Sequence, residues 1–585
     1  ASCSAARDCS TARSDCRALF PSAGRLRPSG WWESRLRRTM GFRWILAAAV
    51  AGTAAGNQCM MDDAEKLECG FVGINQHGCR DRGCCWHDKR QDVSTPSCFF
   101  KKRNQPESCF KTMINMKAPF SCAEVALMKD YFMANLNIDG KGGVAHAPDY
   151  NTPAGSYYYH WERSGALAMR TLMDISENVT AVNPILEAYS QWVIGRQADE
   201  DPNLVDVRAE PKFNLPSGGV FDGKWCRPQT DGPALRAVTL MQYAIHLLNT
   251  GAHDYVTQFL WTGSADLYNG GAIKYDLDFI VDNYDLDSCD LWEQMMSTDL
   301  FWNRMATRKA MLLGAEFAGR MGDADAVTTY LDAARVLGNS LKYSHWNGDF
   351  LQEEPKRMKD ASVIVALNWG FHKDEDIWSP MDFEVASTIA HFNLAFCNEY
   401  QVNGDDTEFF TPGILYGRYP EDDFAGGNPW VLTTAALAQL MYRAALWVLE
   451  HGEPVWWTKM KWAEALNVWM LPQWPKRAFA HALAAGGDAV LMRLRKHVEG
   501  DGFHLHEQID RNLGKQTAAK DLTWSYAEVL KAVSIRDRFV DRFRIFDLAL
   551  GDEDADDLTI MLRDCSSSAG ESESASGEEA YATGF

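Results

Sequence analysis

Apolar residues recur at intervals of three and four positions along most of the chain between residues 120 and 545, the spacing of one face of an α-helix. Clusters of Gly, Pro and Asp separate these stretches. We find no run of clear apolar–polar alternation that would build a major sheet. The pattern predicts helices at residues 123–136, 164–176, 183–196, 233–249, 298–320, 324–343, 383–397, 430–450, 458–470 and 522–533.

Ten to twelve helices in one region are too many for a simple bundle. They suit an all-α double ring, six helices inside and six outside, in which the loops at one end form a pocket. We place this domain at residues 115–545.

The two ends of the chain have a different composition. Residues 1–39 are rich in Arg, Ser and Cys and lack an apolar period, so we interpret them as a non-native leader and exclude them. Met40, Arg43 and the apolar run up to Ala55 have the form of a signal peptide, 40–55, too short to span a bilayer. Residues 551–585 are mostly Asp, Glu, Ser and Gly, which predicts a disordered acidic tail.

No later stretch is a good candidate for a membrane span. The most apolar one, 430–450, is interrupted by Gln439, Arg443 and Glu450. The formal net charge is −21; residues 1–55 carry nine Arg and three acidic residues, a net of +6, so the remainder carries −27, which excludes a broad basic face for nucleic acid or an anionic membrane. A secreted or lumenal protein, expected to be a monomer, fits these observations. The sequon at Asn178 agrees with secretion.

Six cysteines lie within about 40 residues behind the signal peptide, which indicates a disulfide-bonded module. A zinc site is the competing interpretation, but His77 and His87 do not complete a CxxC pair. Six cysteines allow fifteen pairings. The cysteines are Cys59, Cys69, Cys79, Cys84, Cys85 and Cys98.

The strings CGFVGI and CxxxxCCW, followed by Cys98-Phe99-Phe100, resemble the trefoil (P-type) domain over residues 57–102. The resemblance implies the pairs Cys59–Cys85, Cys69–Cys84 and Cys79–Cys98, and a glycan or mucin-like ligand. The other mature cysteines stay unassigned, although a local Cys109–Cys122 bond and a close approach of Cys226 to Cys289 are conceivable. They are Cys109, Cys122, Cys226, Cys289, Cys397 and Cys565.

Five patches of the helical region combine aromatic, Arg and acidic residues at positions typical of loops. Hydrolysis of a glycosidic bond needs one carboxylic acid for the leaving oxygen and one carboxylate for the water. It also needs aromatic and charged groups to hold the sugar. The patches begin near Tyr157, Glu210, Asp290, Gly417 and His506.

In order, the strings EPKFN, WCRPQTDGPALRA, DLWE, GRYPED, GNPW and DLTWSYA resemble glycoside hydrolase family 15, the glucoamylases, across residues 120–540. The resemblance implies an (α/α)6 barrel and an inverting mechanism without metal or organic cofactor. It implies that Glu293 is the general acid and Glu507 the general base, with the two carboxyl groups about 6.5–9.5 Å apart. We expect burial beside Trp292 to raise the pKa of Glu293, whereas Glu507 should stay ionised.

The same resemblance implies a pocket for an α-glucan or malto-oligosaccharide. Arg163 and Arg418 would donate to hydroxyl groups, Trp225 would pack over the sugar, and Asp422 would either bind sugar or orient Arg418. The substrate-binding residues it implies are Tyr157, Trp161, Arg163, Ser164, Trp225, Arg227, Asp231, Leu291, Trp292, Gln294, Arg418, Asp422 and Trp430.

Three positions depart from the family pattern. Ser164 replaces an Asp that grips the terminal glucose, Gln294 replaces a second carboxylate, and Ile509 replaces a Tyr. A neutral hydrogen bond contributes less than a charged one, so Ser164 predicts lower activity or altered specificity. We favour an exo-acting α-glucosidase because both catalytic Glu residues remain. The alternatives are a hydrolase of another α-glucoside, such as trehalose or an isomalto-oligosaccharide, and a catalytically impaired carbohydrate-binding protein.

Overall fold

The structure of the 585-residue chain is a computed structural model. It describes residues 59, 66, 76–81, 84–87, 97–99, 108–113, 116–264, 270–372, 377–408, 411–468 and 474–550. The leader, the signal peptide, the acidic tail, Cys69 and Cys565 lie outside these residues.

The described residues form sixteen α-helices, and ten of them match the ten predicted segments. In chain order they are α1 Gln76–Asp81, α2 Cys122–Ala134, α3 Glu162–Ile175, α4 Asn183–Gln197, α5 Asp231–Asn249, α6 His253–Tyr255, α7 Ala272–Asn283, α8 Phe301–Met321, α9 Ala324–Ser344, α10 Ser362–Trp369, α11 Phe383–Glu399, α12 Gln401–Glu408, α13 Val431–His451, α14 Trp456–Ala465, α15 Lys476–Val498 and α16 Thr523–Leu550.

Six helices form a closed inner ring. Helix α3 packs on α5, α5 on α8, α8 on α10, α10 on α13, α13 on α16, and α16 returns to α3. Outer helices pack against this ring: α7 and α9 on α8, α15 on α13, and α2 on α16. The predicted all-α double ring is therefore confirmed as an (α/α)6 barrel.

Burial distinguishes the two layers. In α3 twelve of fourteen residues are buried, because an inner helix contacts neighbours on all sides. In the outer helix α9 the buried residues follow a single stripe that includes Ala326, Tyr330, Ala333, Leu337 and Leu341. The inner helices fill the barrel with one continuous hydrophobic core.

Helix α13 is the one described helix that is long and apolar enough to cross a membrane, and 89% of its most apolar window is buried inside the protein. It packs against α10, α15 and α16 in the barrel. The barrel therefore accounts for its apolar character.

Within the described residues β-structure consists of four antiparallel pairs of two or three residues per strand and five isolated bridges. The pairs are β1 Cys85–Trp86 with β2 Cys98–Phe99, β3 Tyr159–Trp161 with β4 Lys212–Asn214, β5 Ser288–Cys289 with β6 Met296–Ser297, and β7 Gln508–Ile509 with β8 Gln516–Thr517. Three of these pairs are short hairpins or bridges that hold the loops between the barrel helices.

Two predicted bonds of the N-terminal module are present, Cys59–Cys85 and Cys79–Cys98. Cys84 is disulfide-bonded as well, and its predicted partner Cys69 lies outside the described residues.

The remaining cysteines correct one prediction. The local Cys109–Cys122 bond is wrong, because Cys109 pairs with Cys397 on α11, 288 residues away. This bond ties the segment behind the N-terminal module to the barrel. The predicted approach of Cys226 to Cys289 is confirmed, since the two form a disulfide.

Candidate active site

A cavity of about 260 Å³ opens at the end of the barrel where the inner helices begin. The residues just before or at the start of α3, α5, α8, α10, α13 and α16 form or support its wall. Eleven predicted site residues line it: Tyr157, Trp161, Arg163, Trp225, Leu291, Trp292, Glu293, Gln294, Arg418, Trp430 and Glu507. Both predicted catalytic carboxyl groups therefore face one cavity.

Glu293 lies in a tight turn held by Asp290. The Asp290 carboxylate accepts hydrogen bonds from the backbone N–H groups of Trp292, Gln294 and Met295, at 3.3, 2.6 and 2.9 Å. It also forms an ion pair with Arg357. The backbone of Glu293 has φ +62°, a left-handed conformation that is unusual for a residue with a Cβ. The turn fixes the direction in which this side chain leaves the backbone.

One oxygen of Glu293 is held and the other is available. Oε1 accepts from Trp161 Nε1 at 3.1 Å and from Gln229 Nε2 at 2.8 Å. Arg163 Nη1 lies 3.8 Å from the same oxygen. Among the described residues Oε2 has no hydrogen-bond partner, so this oxygen can carry a proton toward a bound substrate.

Glu507 is deeply buried, immediately before β7. Its Oε1 accepts from the Tyr157 hydroxyl at 3.1 Å and its Oε2 from Gln508 Nε2 at 3.2 Å. The ring centroids of Tyr157 and Trp161 are 5.7 Å apart. The residue that donates to Glu507 therefore contacts the residue that donates to Glu293.

The electrostatics differ from the sequence-based expectation. Burial raises the pKa of Glu507 to about 7, although the Tyr157 hydrogen bond and the charge of Arg418 oppose this shift. Ionised Glu507 is thus costly in the empty cavity. The expectation that this carboxyl is readily ionised is not met there, because few donors replace the water that burial removes.

Arg163 and Arg418 are both fixed by carboxylates. Arg163 donates from Nε to Asp231 at 2.5 Å and from Nη2 to Gln229 at 2.9 Å. Arg418 donates to both oxygens of Asp422, at 2.8 and 2.5 Å, so Asp422 orients Arg418. Each guanidinium is held rigidly with one edge toward the cavity.

Lys212 supports the aromatic wall from behind. Its Nζ lies 3.9–4.3 Å from the ring centroids of Tyr159, Trp161, Phe221 and Trp225. Burial lowers the pKa of Lys212 to about 8, while the charge of Glu293 opposes the shift. Cation–π attraction therefore positions the two Trp rings of the cavity.

Four predicted substrate-binding residues do not line the cavity. Arg227 donates to Glu210 and to backbone carbonyls of the loop that carries Trp225. The Asp231 carboxylate accepts hydrogen bonds from Arg163 and Trp302, and the Asp422 carboxylate accepts them from Arg418. Ser164 is buried behind the cavity wall. These side chains support the residues that line the cavity, because each is hydrogen-bonded to a residue of the cavity wall or to the loop that carries one.

The sequence-based prediction missed His146, Phe424 and Trp524 in the cavity wall, and Gln229 as a donor to Glu293. Trp524 and Gln229 fall inside the quoted strings DLTWSYA and WCRPQTDGPALRA, so position within a string could have indicated them. His146 lies outside every string, and no sequence signal marks it.

Asn178 is exposed and its Oδ1 caps a short helical turn by accepting from Thr180 N–H at 3.0 Å. Among the residues that the structure describes, no three His, Cys, Asp or Glu side chains are grouped to hold a metal ion.

Comparisons with known proteins agree with this geometry. The profile of Glycosyl hydrolases family 15 matches residues 128–534, and that of the Trefoil (P-type) domain matches residues 59–101. A glucoamylase of Blastobotrys adeninivorans is 32% identical over 491 residues, covering 76% of each chain. Glucoamylase 1 of Rhizopus oryzae is 30% identical over 428 residues, covering 68% of each.

Solved structures give the same result. The family 15 glucoamylase of Hypocrea jecorina superposes with a TM-score of 0.63 at 25% identity, covering 71% of this chain and 72% of that one. The glucoamylase of Hormoconis resinae gives 0.61 at 26% identity, with the same coverage. This chain belongs to glycosyl hydrolase family 15 and is a glycoside hydrolase with an N-terminal trefoil domain.

Proposed function

We propose that this chain is an exo-acting, inverting α-glucosidase that removes terminal α-1,4-linked glucose from the non-reducing ends of starch-like glucans and releases β-D-glucose. We include slower cleavage of α-1,6 links. The observation that carries the proposal is the pair of carboxyl groups in one cavity, Glu507 hydrogen-bonded to Tyr157 and Glu293 hydrogen-bonded to the neighbouring ring of Trp161. A cavity of about 260 Å³ is of a size for a sugar unit at a chain end rather than a polymer lying through a cleft.

The chemistry follows from the two environments. Glu293 gives the proton on Oε2 to the glycosidic oxygen as the bond to C1 breaks, while Trp161 and Gln229 hold Oε1. A water molecule attacks C1 from the other face, and Glu507 takes the proton that this water loses. Positive charge developing on the sugar favours ionised Glu507, so substrate itself supplies the electrostatic stabilisation that the empty cavity lacks.

The side chains around these groups bind and orient the sugar. Trp225 and Trp292 offer flat apolar surfaces, and the fixed guanidinium groups of Arg163 and Arg418 offer hydrogen-bond donors. Gln294, held by the Tyr419 hydroxyl at 2.6 Å, lies at the cavity wall beside the acid. A neutral amide here in place of a carboxylate predicts weaker binding of the second sugar.

Glucose release from maltoheptaose by residues 56–585 tests the proposal, with the product anomer followed by NMR. We expect β-glucose from the unchanged protein and a loss of at least a thousandfold in kcat for Glu293→Gln and for Glu507→Gln. Glu187→Gln, an exposed Glu on outer helix α4, is the matched control and should keep full activity. Initial release of α-glucose would contradict the inverting mechanism.

The substrate alternatives are separated by rates on maltose, isomaltose and trehalose. Fastest hydrolysis of trehalose or isomaltose would replace the α-1,4 preference. Affinity for malto-oligosaccharide without any glucose release would indicate a carbohydrate-binding protein instead.

We further propose secretion or a lumenal location, because the disulfides Cys59–Cys85, Cys109–Cys397 and Cys226–Cys289 require an oxidising compartment. A glycan or mucin-like ligand for the trefoil domain and a monomeric state also remain proposals.

A further inference from the structure

His146 lies between Ser164 and the cavity. Its Nδ1 is 2.7 Å from the Ser164 hydroxyl oxygen, and its ring is part of the cavity wall, whereas Ser164 is not. Ser164 therefore reaches the cavity only through its contact with His146.

The imidazole is held in place on every side. Its ring centroid is 4.5 Å from that of Trp161 and 5.1 Å from that of Tyr157. The backbone N–H of His146 donates to the Tyr159 carbonyl at 2.8 Å, and its carbonyl accepts from Thr523 N–H at 2.9 Å. The segment is thus fixed between β3 and the start of α16, so its side chain is presented to the cavity with little freedom.

The imidazole is neutral. Burial, together with the nearby charges of Arg163 and Lys212, lowers the pKa of His146 to about 3. A neutral imidazole has one donor nitrogen and one acceptor nitrogen. Nδ1 is hydrogen-bonded to Ser164. Nε2 has no hydrogen-bond partner among the described residues, so it is the ring nitrogen that can bind a ligand.

We propose that His146 is a specificity-determining residue whose Nε2 binds a hydroxyl group of the terminal glucose, with Ser164 as its positioning partner. The inference rests on the proposed function and names a further group of the same site that contacts the sugar. Ser164 can donate to Nδ1 or accept from it, because a hydroxyl does either. The pair can therefore serve the sugar hydroxyl as donor or as acceptor, whereas a carboxylate only accepts.

Binding measured by calorimetry tests this without requiring hydrolysis. The protein carries Glu293→Gln, and the ligands are maltose and its 2-, 3-, 4- and 6-deoxy forms, modified on the non-reducing glucose. With His146 present, we expect one deoxy form to bind about tenfold more weakly than maltose, the effect of one neutral hydrogen bond. With His146→Ala added, maltose should lose about tenfold in Kd and that deoxy form should lose nothing further.

Two substitutions of similar size provide a matched pair. Glutamine places an amide near the position of Nε2, and asparagine near the position of Nδ1. His146→Gln should therefore keep maltose affinity within about threefold, whereas His146→Asn should resemble His146→Ala. Equal losses for maltose and every deoxy form, or full affinity in His146→Asn, would overturn the inference.

The two proposals fail in different ways. Maltose binding by the Glu293→Gln protein, with no hydrolysis by the unchanged enzyme, would refute the proposed function while the Kd comparison still decides the role of His146. Hydrolysis of maltose together with a uniform loss across the deoxy series would refute the role of His146 alone. Absence of maltose binding would refute both.

Discussion

At the scale of single residues, Glu507, the proposed general base, is a group whose ionisation destabilises the substrate-free protein. Its carboxyl is buried with few donors, and burial raises its pKa to about 7. A buried charge without full compensation costs stability. The same isolation makes Glu507 responsive to a positive charge that develops on the substrate.

Glu507→Gln should therefore stabilise the substrate-free protein, but only at higher pH. The folded pKa of about 7 lies above the ordinary value of 4.5, so the folded state binds the proton more tightly than the unfolded chain. The cost of ionisation is absent below pH 4.5, grows as the pH rises and is complete above pH 7. Thermal unfolding at pH 4 and pH 8 should show a gain at pH 8 alone, on the order of 3 kcal/mol. A gain of the same size at pH 4 would contradict the assignment.

Tyr157→Phe should move the acidic limb of the pH–rate profile to higher pH. The Tyr157 hydroxyl donates to Glu507 and stabilises its ionised form, so its removal raises the pKa of the base. We expect a shift of about one pH unit in kcat/KM for maltoheptaose. Tyr158→Phe is the control, because Tyr158 does not line the cavity. An acidic limb that stays in place would mean that Glu507 is not the group titrating there.

At the scale of elements, the two proposed catalytic residues, Glu293 and Glu507, belong to loops and not to the helices themselves. The turn from Asp290 to Met295 holds Glu293 at a positive φ through three hydrogen bonds to one carboxylate. Glu421 and Asp521, in other loops at the cavity end of the barrel, also have positive φ values. Loops that position the site thus contain strained backbone, as do loops elsewhere, for example at Trp378 and Asn467.

Asp290→Asn should lower kcat more than it raises KM. The amide keeps the size of the side chain but loses the charge that holds three N–H groups and Arg357, so the direction of Glu293 becomes less defined. We expect a fall of about a hundredfold in kcat on maltoheptaose. Asp287→Asn, three positions earlier and exposed, is the matched control and should be unaffected. A change confined to KM would argue against a role in orienting the acid.

The elements that the sequence pattern missed share a physical cause. All eight residues of α10 are buried. The helix therefore has no polar face, and its sequence lacks the apolar spacing of three and four positions that marks a half-buried helix. Helix α15 contains Gly486 and Gly487, which interrupt its pattern. His146 belongs to no distinctive string, and only the fold brings it beside Ser164. By contrast, the eleven predicted lining residues, which include Glu293 and Glu507, were predictable, because they lie in or next to the five patches of aromatic and charged residues.

At the scale of the whole molecule, the disulfides Cys226–Cys289 and Cys109–Cys397 stabilise different parts of the structure. Cys226–Cys289 joins the loop of Trp225 to the strand preceding the Glu293 turn, and so fixes the cavity wall. Cys109–Cys397 lies on the outer layer and closes a loop of 288 residues. Pairing over such distances could not be deduced from the sequence, since it depends on which outer helix the chain reaches.

Replacing Cys109 and Cys397 together by Ser should lower stability and leave activity unchanged at 25 °C. The cross-link restricts the unfolded chain, and native disulfides of this kind contribute about 2–5 kcal/mol. Thermal unfolding should occur at a lower Tm, with the same kcat/KM as the unchanged enzyme. Replacing Cys226 and Cys289 together by Ser should instead lower both the Tm and kcat/KM. Equal loss of activity in the two variants would contradict this division of tasks.

The filled interior of the barrel has a kinetic consequence. Core side chains of the inner helices, such as Leu432 and Trp524, form part of the cavity wall, so the cavity does not continue as a channel through the filled barrel. In the proposed exo-acting enzyme, released glucose must leave through the opening that the shortened chain occupies, and the chain must withdraw before the next unit can enter. Such an enzyme works in separate encounters, without sliding along its polymer, and its turnover on long chains is limited by how quickly a chain end is released and found again.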